Sequence, residues 1–434
     1  MSKPKILIIS HNPLSDSQSN GKTITSLLSN FPKESLAQLY FTMDTPDFTI
    51  CNNFFRITDL DVLKNFFLIN NNIGDKISEE FSKSIKKEKK NLHNNKIYNF
   101  VRKLFVLKVS FMTTIRDFIW NNSYYYSKKF ENWLNEFNPD FIFFQSSNCC
   151  FAFEFVYKIA KKRNIKVIMQ TTDDYLTYKK IALFFNYNVY KLRKAYKKVN
   201  EETILILPIS EKMGLYYNRL YPNNYYTAMN SVIPNKDLTY KFNKKDIKIL
   251  YAGNLGLNRD KTIYKLAKII NDLDDKKISI EVYSIEKPSD KILKKINSFD
   301  CCKYLGSLNK EQLEKKRNEA DILLHVEAFD KANKHLTRYS ISTKIPELMN
   351  SGRVILAIGP SDIASIEYLQ KTNSAFIINS TDYNKMYEQF IKFLNSNKLK
   401  KYVKNGGKFV KQNHDMNQIQ KYIEKIIMDN YSEK

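Results

Sequence analysis

The sequence predicts an α/β protein made of two Rossmann-like domains that face each other across a cleft. Its 434 residues exceed what one hydrophobic core usually organises, and this length favours two domains of roughly 200 residues each. Short apolar runs rich in β-branched residues alternate with longer helical patterns, and the alternation restarts near residue 245. This rhythm is typical of parallel sheets that are covered by helices on both faces.

The first domain is expected over residues 1–235. Its apolar runs are rich in Ile, Val, Leu and Phe, which is the pattern of buried strands. A helix is predicted over Thr23–Leu28, and the turn Asn138-Pro139-Asp140 comes directly before one of the strands. The predicted strands are Lys5–Ile9, Leu36–Phe41, Phe141–Phe144, Lys166–Met169 and Thr203–Leu207.

Residues 75–130 interrupt the alternation of strands and helices, because they are strongly basic and are predicted to be helical. Between Ile97 and Phe118 the apolar residues recur at helical spacing. One interpretation is a basic amphipathic helix that lies on anionic lipid. The other is an ordinary domain helix whose apolar face packs on the sheet. The basic residues that accompany the apolar stripe are Arg102, Lys103, Lys108 and Arg116.

The second domain is expected over residues 246–409, after a polar linker that starts at Ser231. A helix is predicted over Lys261–Leu273. Residues 410–434 hold a final helical pattern, Val410–Met428, with no strand after it, and this segment can cross back to the first domain. The predicted strands are Ile247–Tyr251, Ile278–Tyr283, Lys303–Leu305, Ile322–Leu324, Val354–Ala357 and Ala375–Ile378.

The net charge of +25 has two explanations. An acidic partner, such as nucleic acid, anionic lipid or a phosphorylated substrate, would favour a basic surface. A compositional bias is the alternative, since Lys, Asn, Ile, Tyr and Phe are abundant throughout while Gly and Pro number only 10 and 11. The basic residues are spread along the chain and no familiar nucleic-acid-binding motif accompanies them, so nucleic acid is not expected as a partner.

Cysteine usage and the N-terminus both favour a cytoplasmic protein. The five cysteines form no CxxC pair, and an odd number argues against a disulfide framework. The N-terminal apolar run is too short for a signal peptide. No stretch approaches the ~18 apolar residues of a membrane-spanning helix. The protein can still associate with the inner face of the plasma membrane.

The segment Ser340–Ala357 carries the strongest indication of a ligand site. Ser342 or Thr343 is a good N-cap, and Gly352 is a good C′ residue, so a short helix is expected between them. A helix N-terminus presents free N–H groups to a phosphate. Lys344 adds a positive charge there.

Glu347 lies one turn further along this helix, where a carboxylate can accept hydrogen bonds from ribose hydroxyls. The competing interpretation is an amphipathic packing helix that carries a Lys and a Glu by chance.

Further candidates follow the strands of the first domain, at the sheet edge where α/β proteins bind ligands. Asp173 and Asp174 come after strand Lys166–Met169, and carboxylates at a strand end favour an acceptor-side or catalytic role. The alternative is that one of them caps a helix. His11, after the first strand, is a catalytic candidate as well, although a lone histidine is often structural.

The sequence gives no sign of a metal or of a bound cofactor. Gly21-Lys22-Thr23 resembles the end of a P-loop, but that motif needs a glycine where Asp16 stands. No His/Cys cluster has metal-ligand spacing. A metal-independent reaction is therefore expected.

The run Ser342-Thr343-Lys344-x-Pro346-Glu347, followed by a glycine turn and a strand, resembles the donor-site helix of family 4-like, retaining GT-B glycosyltransferases. The resemblance spans nearly the whole chain and is sharpest over residues 247–360. Capsule, O-antigen and exopolysaccharide enzymes of bacteria are the most similar in character. Further segments that resemble this family are Ser19–Thr23, Tyr251–Gly256, Ala320–His325 and Ala357–Pro360.

The resemblance implies a role for each matching position. Glu347 would hold the ribose, and Lys344 with the N–H groups around Ser342 and Thr343 would bind the diphosphate. Arg259 and Lys261 would neutralise the leaving phosphate. The remaining implied donor contacts are the Gly253-Asn254-Leu255-Gly256 turn, Gly21 in the N-terminal loop and Leu308 near the base.

One departure from the family pattern concerns the carboxylate that recognises the sugar. The family often carries two glutamates separated by seven residues. Glu347 matches the second, but Tyr339 stands at the first position. Glu327 is the substitute if residues 328–339 form an inserted loop, and it is therefore a catalytic candidate.

The resulting hypothesis is a hexosyltransferase-type glycosyltransferase. It would move a sugar from a nucleotide-diphosphate sugar to a hydroxyl of a glycan acceptor, which can be lipid-linked, with retention of configuration. The alternatives are another GT-B enzyme, either a sugar-nucleotide epimerase or an inverting transferase, and, less favoured, a nucleic-acid-binding protein. Product stereochemistry would separate the first two, and a steeply salt-dependent affinity for DNA would indicate the third.

Overall fold

A computed structural model describes residues 3–15, 19–68, 73–82, 110–122, 127–177, 183–236, 238–243, 245–274 and 277–432. The chain divides into two compact units. The first unit comprises Met1–Ala228 together with Gln420–Lys434, and the second comprises Met229–Ile419. Each unit is built on its own sheet, as the restarting strand–helix rhythm predicts.

The described residues of the first unit form a seven-stranded sheet with the order β4-β3-β2-β1-β5-β6-β7. Neighbouring strands are parallel except at the edge, where β4 runs antiparallel to β3. β3 and β4 were not predicted from the sequence, because strands this short carry too few residues for a periodic signal. The strands are β1 (Ile6–Ser10), β2 (Leu36–Tyr40), β3 (Asn53–Arg56), β4 (Asp75–Ile77), β5 (Phe141–Gln145), β6 (Lys166–Thr171) and β7 (Thr203–Pro208).

Helices follow most of these strands. The basic segment predicted over residues 75–130 lies largely outside the described residues, and of the amphipathic pattern Ile97–Phe118 only the part from Ser110 onward is described. The described helices are α1 (Ser19–Leu28), α2 (Asp59–Leu68), α3 (Ser110–Asn122), α4 (Lys128–Phe137), α5 (Cys150–Arg163), α6 (Leu183–Glu201) and α7 (Glu211–Leu220).

Aromatic side chains fix helices α3 and α5 against each other in the first unit. Trp120 of α3 stacks on Phe151 of α5, with ring centroids 3.9 Å apart and an interplanar angle of 10°. Phe41, directly after β2, meets both rings edge-on. Rings of this kind bury large apolar areas and favour a defined geometry. The face of α3 that carries Trp120 therefore packs inside the unit, whereas Phe111 and Phe118 of the same helix are exposed.

The described residues of the second unit form a six-stranded, wholly parallel sheet with the order β10-β9-β8-β11-β12-β13. Strands β11 and β12 are buried at every residue, as expected for a sheet covered on both faces. The strands are β8 (Ile247–Ala252), β9 (Ile278–Tyr283), β10 (Cys302–Tyr304), β11 (Ile322–Val326), β12 (Val354–Ile358) and β13 (Phe376–Ile378).

The helices of the second unit cover both faces of this sheet, and two of them form the C-terminal part of the chain. They are α8 (Arg259–Asp272), α9 (Asp290–Ile296), α10 (Lys310–Glu319), α11 (Lys331–Thr337), α12 (Ile345–Met349), α13 (Ala364–Lys371), α14 (Tyr383–Leu394) and α15 (Leu399–Asn413), followed by α16 (Met416–Ser432), which continues into the first unit. None of the helices in the described ranges is long and apolar enough to span a bilayer.

The C-terminal helical pattern is two helices rather than the single predicted helix Val410–Met428. The break falls at His414, whose carbonyl accepts the Val232 N–H at 2.9 Å. The buried ring of His414 also lies 2.6 Å from the Tyr368 hydroxyl. α16 begins in the second unit, and its residues from Gln420 onward belong to the first, where the Gln420 amide donates to the Ser26 carbonyl at 2.8 Å.

Gly352 ends the turn after α12 in a conformation that requires glycine. The helix is capped at Asn350, so Gly352 lies one residue later than the predicted C′ position. Its φ is +75°, and a Cβ at this position would approach the Thr239 carbonyl oxygen to 2.8 Å. Both features disfavour any residue with a side chain.

Gly352→Ala is expected to lower the free energy of unfolding by about 1–3 kcal/mol, because it adds a strained φ and a contact with rigid backbone. Chemical denaturation of the full chain measures the loss. Asn373→Gly is the matched control in the same unit, since Asn373 already has a φ of +48°. The control should leave stability within about 0.5 kcal/mol of the natural chain. Equal stability of Gly352→Ala and the natural chain would contradict the argument.

Candidate functional site

The centre of the second sheet is the point where its strand order reverses. β8 and β11 are neighbours there, and the chain moves outward from them in opposite directions. Loops that leave the carboxyl ends of such strands diverge, and the resulting crevice is where open α/β sheets bind ligands. The residues directly after these two strands are Gly253 and Glu327.

Lys344 lies over the turn that follows β8. Its ammonium donates to the Ala252 carbonyl at 2.6 Å, and a Cβ on Gly253 would come within 2.8 Å of the same nitrogen. A side chain at position 253 would therefore displace the Lys344 ammonium from its present position. Two features that the sequence analysis assigned to one donor site, the glycine turn and the lysine, thus lie together.

The helix after Lys344 begins later than predicted. Lys344 itself, in a helical backbone conformation, is the N-cap of α12, and no side chain caps the helix. The predicted cap by Ser342 or Thr343 is wrong. The Ser342 carbonyl instead accepts the Ile345 N–H at 3.0 Å, so these residues form a turn that precedes the helix.

The turn after β8 is held by local hydrogen bonds. The Tyr251 hydroxyl donates to the Asn254 carbonyl at 2.6 Å, and the Asn254 side chain accepts the Gly256 N–H. Leu257 and Asn258 then adopt φ values of +57° and +60°. Consecutive left-handed residues other than glycine are costly, and such strain is concentrated at functional sites. The turn delivers Arg259 as the first residue of α8.

Arg259 and Glu327 form a buried ion pair across the crevice. Arg259 Nη2 lies 3.1 Å from Glu327 Oε2, and the two side chains are 21% and 3% exposed. His325 Nε2 lies 3.3 Å from the other carboxylate oxygen. Burial raises the pKa of Glu327, but His325 and Arg259 outweigh this effect and hold that pKa at about 2. Glu327 is therefore ionised at neutral pH.

Glu327, the substitute sugar-recognising carboxylate that the sequence suggested, lies directly after β11. Both its oxygens face protein groups, and its side chain is almost fully buried. The segment 328–339 contains helix α11 rather than only an inserted loop. Tyr339, at the family's first glutamate position, is buried beneath the Arg338 guanidinium, which lies 4.3 Å from the ring centroid.

Glu347, a carboxylate on helix α12, also forms an ion pair. Arg317 of α10 contacts it through Nη2, and each side chain is 14% exposed. The sequence did not single out Arg317, because α10 is charged along its whole length and no spacing distinguishes one residue. Lys261, in contrast to Arg259, is exposed on α8.

The loop after β10 is joined by a backbone hydrogen bond to the loop after β9. Gly306 has a φ of +98°, and its carbonyl accepts the Ser284 N–H at 2.9 Å. Leu308, the predicted base contact, is partly buried against the apolar cluster on one face of the sheet. The loops after β9 and β10 therefore lie next to each other at the sheet edge that carries Lys344.

In the first unit, Asp173 and Asp174 occupy a loop that closes on itself. Asp174 is buried and accepts hydrogen bonds from the Thr177 N–H at 3.1 Å, the Thr177 hydroxyl and the Tyr217 hydroxyl at 2.9 Å. Asp173 accepts the Tyr175 hydroxyl at 3.0 Å. Residues 178–182 lie outside the described residues, so the alternative that one aspartate caps the following helix stays a prediction. Asp174 has the contacts of a structural residue.

His11 lies after β1, where the order of the first sheet reverses. Burial and the nearby Arg116 lower the pKa of His11 to about 4, so the imidazole is neutral at pH 7. Arg116 is engaged inside the unit, because its Nε donates to Asp59 at 2.8 Å and its Nη1 to the Cys149 sulfur at 3.2 Å. The Trp120 indole donates to the same Asp59 oxygen at 2.7 Å. Arg116 is thus not a basic residue on a lipid-facing stripe.

Gly21 lies within α1, where its lack of a side chain has a local reason. A Cβ there would approach the Pro13 carbonyl to 2.5 Å and the Ser15 nitrogen to 2.6 Å. The N-terminal loop therefore packs directly on this helix. Among the described ranges there is no group of three or more His, Cys, Asp or Glu side chains placed to hold a metal ion.

Solved structures of other proteins share the fold of this chain. No protein-family model matches the sequence, and no curated protein matches it. Among solved structures, HepE of Anabaena in complex with UDP aligns at 10% identity over 98% of this chain and 100% of that one, with a TM-score of 0.60. The trehalose-6-phosphate synthase OtsA aligns at 11% identity over 98% and 99%, with a TM-score of 0.62.

A trehalose-6-phosphate synthase from Burkholderia multivorans aligns at 8% identity over 100% of this chain and 98% of that chain, with a TM-score of 0.57. Identities this low establish similarity of fold alone. The chain has the two-sheet, Rossmann-like GT-B fold of glycosyltransferases, which confirms the predicted fold class.

The depressed pKa of His11 predicts a loss of stability in mild acid. The folded pKa is about 4, below the ordinary value of 6.5, so the unfolded chain takes up the proton first as the pH falls. The contribution of His11 to stability is therefore complete above about pH 6.5. It decreases down to about pH 4, by up to about 3 kcal/mol.

Proton NMR of the histidine ring signals, assigned with His11→Gln, measures this titration. The His11 resonance should have a midpoint near pH 4. A midpoint at or above 6.5 would show that the ring is solvated or paired with an acid.

Proposed function

We propose that the protein is a glycosyltransferase that moves a sugar from a nucleotide-diphosphate sugar to a hydroxyl of a glycan acceptor in surface polysaccharide synthesis. The observation that carries this proposal is the convergence of Lys344 and Arg259 on the turn after β8, at the strand-order reversal of a GT-B fold. UDP is the proposed nucleotide, supported by the description of the similar Anabaena structure as a UDP complex.

The cations of this site fit a leaving diphosphate. Breaking the bond between sugar and phosphate puts negative charge on the departing oxygen, and fixed positive groups at that point lower the barrier. Lys344 supplies an ammonium with three donors, and Arg259 a planar guanidinium suited to phosphate. Lys261 would add a more distant charge on the exposed side of α8.

The ribose would bind Glu347. A carboxylate accepts more than one hydrogen bond, so the contact with Arg317 is compatible with a further bond from a ribose hydroxyl. Arg317 also fixes the orientation of that carboxylate. Leu308 and the backbone around Gly306 would contact the base.

We propose a retaining, metal-independent reaction of the family 4-like type. The departing phosphate would accept the proton from the acceptor hydroxyl, because the buried Asp174 is already engaged by Thr177 and Tyr217. The anomeric coupling constant of the product, measured by NMR, distinguishes retention from inversion.

A metal chelator should leave the rate of transfer unchanged if Lys344 and Arg259, rather than a metal ion, neutralise the diphosphate.

A peripheral contact with anionic membrane would bring a lipid-linked acceptor to the enzyme. Two helices of the first unit, joined by a 2.8 Å hydrogen bond from Thr114 to Asn188, expose large aromatic side chains. Aromatic rings beside basic residues suit the bilayer interface, and the chain carries a net charge of +25. The exposed rings are Phe111 and Phe118 of α3 and Tyr187 and Tyr190 of α6.

Calorimetric titration of the full chain with UDP, GDP and dTDP tests the donor site. UDP is expected to bind, and Lys344→Ala should weaken it roughly 10- to 100-fold, because a charge-assisted contact with phosphate is lost. Lys344→Ala and Glu347→Ala should each abolish sugar transfer while the fold survives.

Lys265→Ala is the matched control, because Lys265 donates to the Thr381 carbonyl at 2.7 Å much as Lys344 donates to Ala252. It should bind UDP as the natural chain does. Absence of binding to all three nucleotides, or equal binding by Lys344→Ala, would refute the donor-site assignment.

Co-sedimentation with lipid vesicles tests the membrane contact. The chain should bind phosphatidylglycerol-containing vesicles and not pure phosphatidylcholine, and Phe111→Ser combined with Phe118→Ser should weaken binding at least several-fold. Leu215→Ser combined with Leu220→Ser is the control, since these exposed residues lie on α7. Equal losses in both double variants would show that α3 has no special role, and no loss in either would point to binding by charge alone, without these rings of α3.

A further inference from the structure

We propose that Glu327 is a positioning residue that holds the Arg259 guanidinium where the leaving diphosphate binds. This inference rests on the proposed function and assigns Glu327 a role other than recognising the donor sugar. The carboxylate would act through Arg259 and would not itself touch the nucleotide sugar.

The backbone of Glu327 is fixed from two sides. Its N–H donates to the Ile358 carbonyl of β12 at 2.8 Å, and its own carbonyl accepts the Thr262 hydroxyl of α8 at 3.4 Å. The carboxylate therefore projects from a rigid strand end. Thr262 and Arg259 belong to the same helix, α8. Two side chains of this helix therefore contact Glu327, Thr262 at its carbonyl and Arg259 at its carboxylate.

The carboxylate itself cannot rotate freely. Oε2 faces Arg259 at 3.1 Å and Oε1 faces His325 at 3.3 Å, and the His325 side chain is only 8% exposed. The contact with Arg259 is a hydrogen bond, whereas His325 Nε2 lies beside the carboxylate without forming one. His325, the fourth residue of β11, packs against the carboxylate and restricts its rotation.

The backbone of Arg259 is fixed independently of its side chain. The left-handed residues Leu257 and Asn258 set the start of α8, and the Asn258 amide donates to Asp330 at 2.8 Å. With the main chain held by this turn and one guanidinium nitrogen held by Glu327, the remaining donors of Arg259 have a defined direction. The guanidinium is the partly exposed member of the pair.

Stability alone is a poor explanation for this pair. Taking two charges out of water costs several kcal/mol, and a well-packed apolar pair is often as stable or more so. A rigid, planar donor fork aimed at a phosphate is something that an apolar pair would not provide. The unequal burial, with the acid inside and the base outward, fits a device that orients the base.

Simple electrostatics and positioning predict opposite outcomes when the carboxylate is removed. Glu327→Gln raises the local charge by one unit, so attraction of a diphosphate by charge alone would strengthen. If Glu327 orients Arg259, the affinity for UDP falls instead, because the guanidinium loses its fixed direction. Uridine, which has no phosphate, should bind equally well to both forms.

The experiment is calorimetric titration of the full chain with UDP and with uridine. Glu327→Gln should weaken UDP about tenfold, as expected for loss of an oriented charged contact, and leave uridine unchanged. In an Arg259→Ala background the same substitution should have little further effect on UDP. This double-mutant cycle isolates the coupling between the two residues.

Asp321→Asn is the matched control, because Asp321 is a buried carboxylate at the opposite end of β11 that accepts N–H groups of Asn243 and Lys248. It should lower stability and leave UDP affinity unchanged. Glu327→Asp, which keeps the charge but shortens the reach, gives the same selective loss of UDP if Glu327→Gln does not fold.

Unchanged or tighter UDP binding by a folded Glu327 variant would overturn the positioning role while the proposed function stands. A loss that persists in the Arg259→Ala background, or one that extends equally to uridine, would do the same. If the natural chain binds no nucleotide, the proposed function fails, and this inference fails with it.

Discussion

The reversal of strand order in the second sheet is the constraint on which the rest of the site depends. β8 and β11 lie side by side at the sheet centre although they are far apart in the chain. Their carboxyl ends bring Arg259 and Glu327, which are 68 residues apart, to 3.1 Å. Lys344, the N-cap of α12, donates to the Ala252 carbonyl at the end of β8. These cations therefore lie where the strand order reverses, which is the place where open α/β sheets bind ligands.

Charge compensation explains how so many ionised groups persist at this edge. Each of the two carboxylates has an arginine partner, Glu327 with Arg259 and Glu347 with Arg317. A buried charge without a partner would cost far more than one that is paired. Lys344 adds a cation to this edge, and its ammonium donates to the Ala252 carbonyl at 2.6 Å.

The sequence alone was sufficient to predict those elements whose pattern lies within one short segment of the chain. Strands such as Val354–Ile358 are continuous apolar runs because both faces are buried, and such runs can be recognised without a structure. The edge strand Asp75–Ile77 was missed because it is three residues long and carries no such run. The roles of Glu327 and Arg317 depend on tertiary contacts with residues 68 and 30 positions away, which no local pattern encodes. Lys344 was found because its charge and the neighbouring helix signal lie in one short segment.

The two strand-order reversals of the chain differ in what their side chains do. In the first unit Asp174 is satisfied by its own loop and by Tyr217, and the His11 imidazole is neutral at pH 7. In the second unit the crevice holds ionised groups whose outward members are cations. The proposed stabilisation of a leaving diphosphate requires positive charge that is fixed before the reaction. Among the described residues, Arg259 at the second reversal is a cation of this kind, since Glu327 holds one of its guanidinium nitrogens. At the first reversal the cation nearest His11, Arg116, is instead engaged by Asp59 and Cys149.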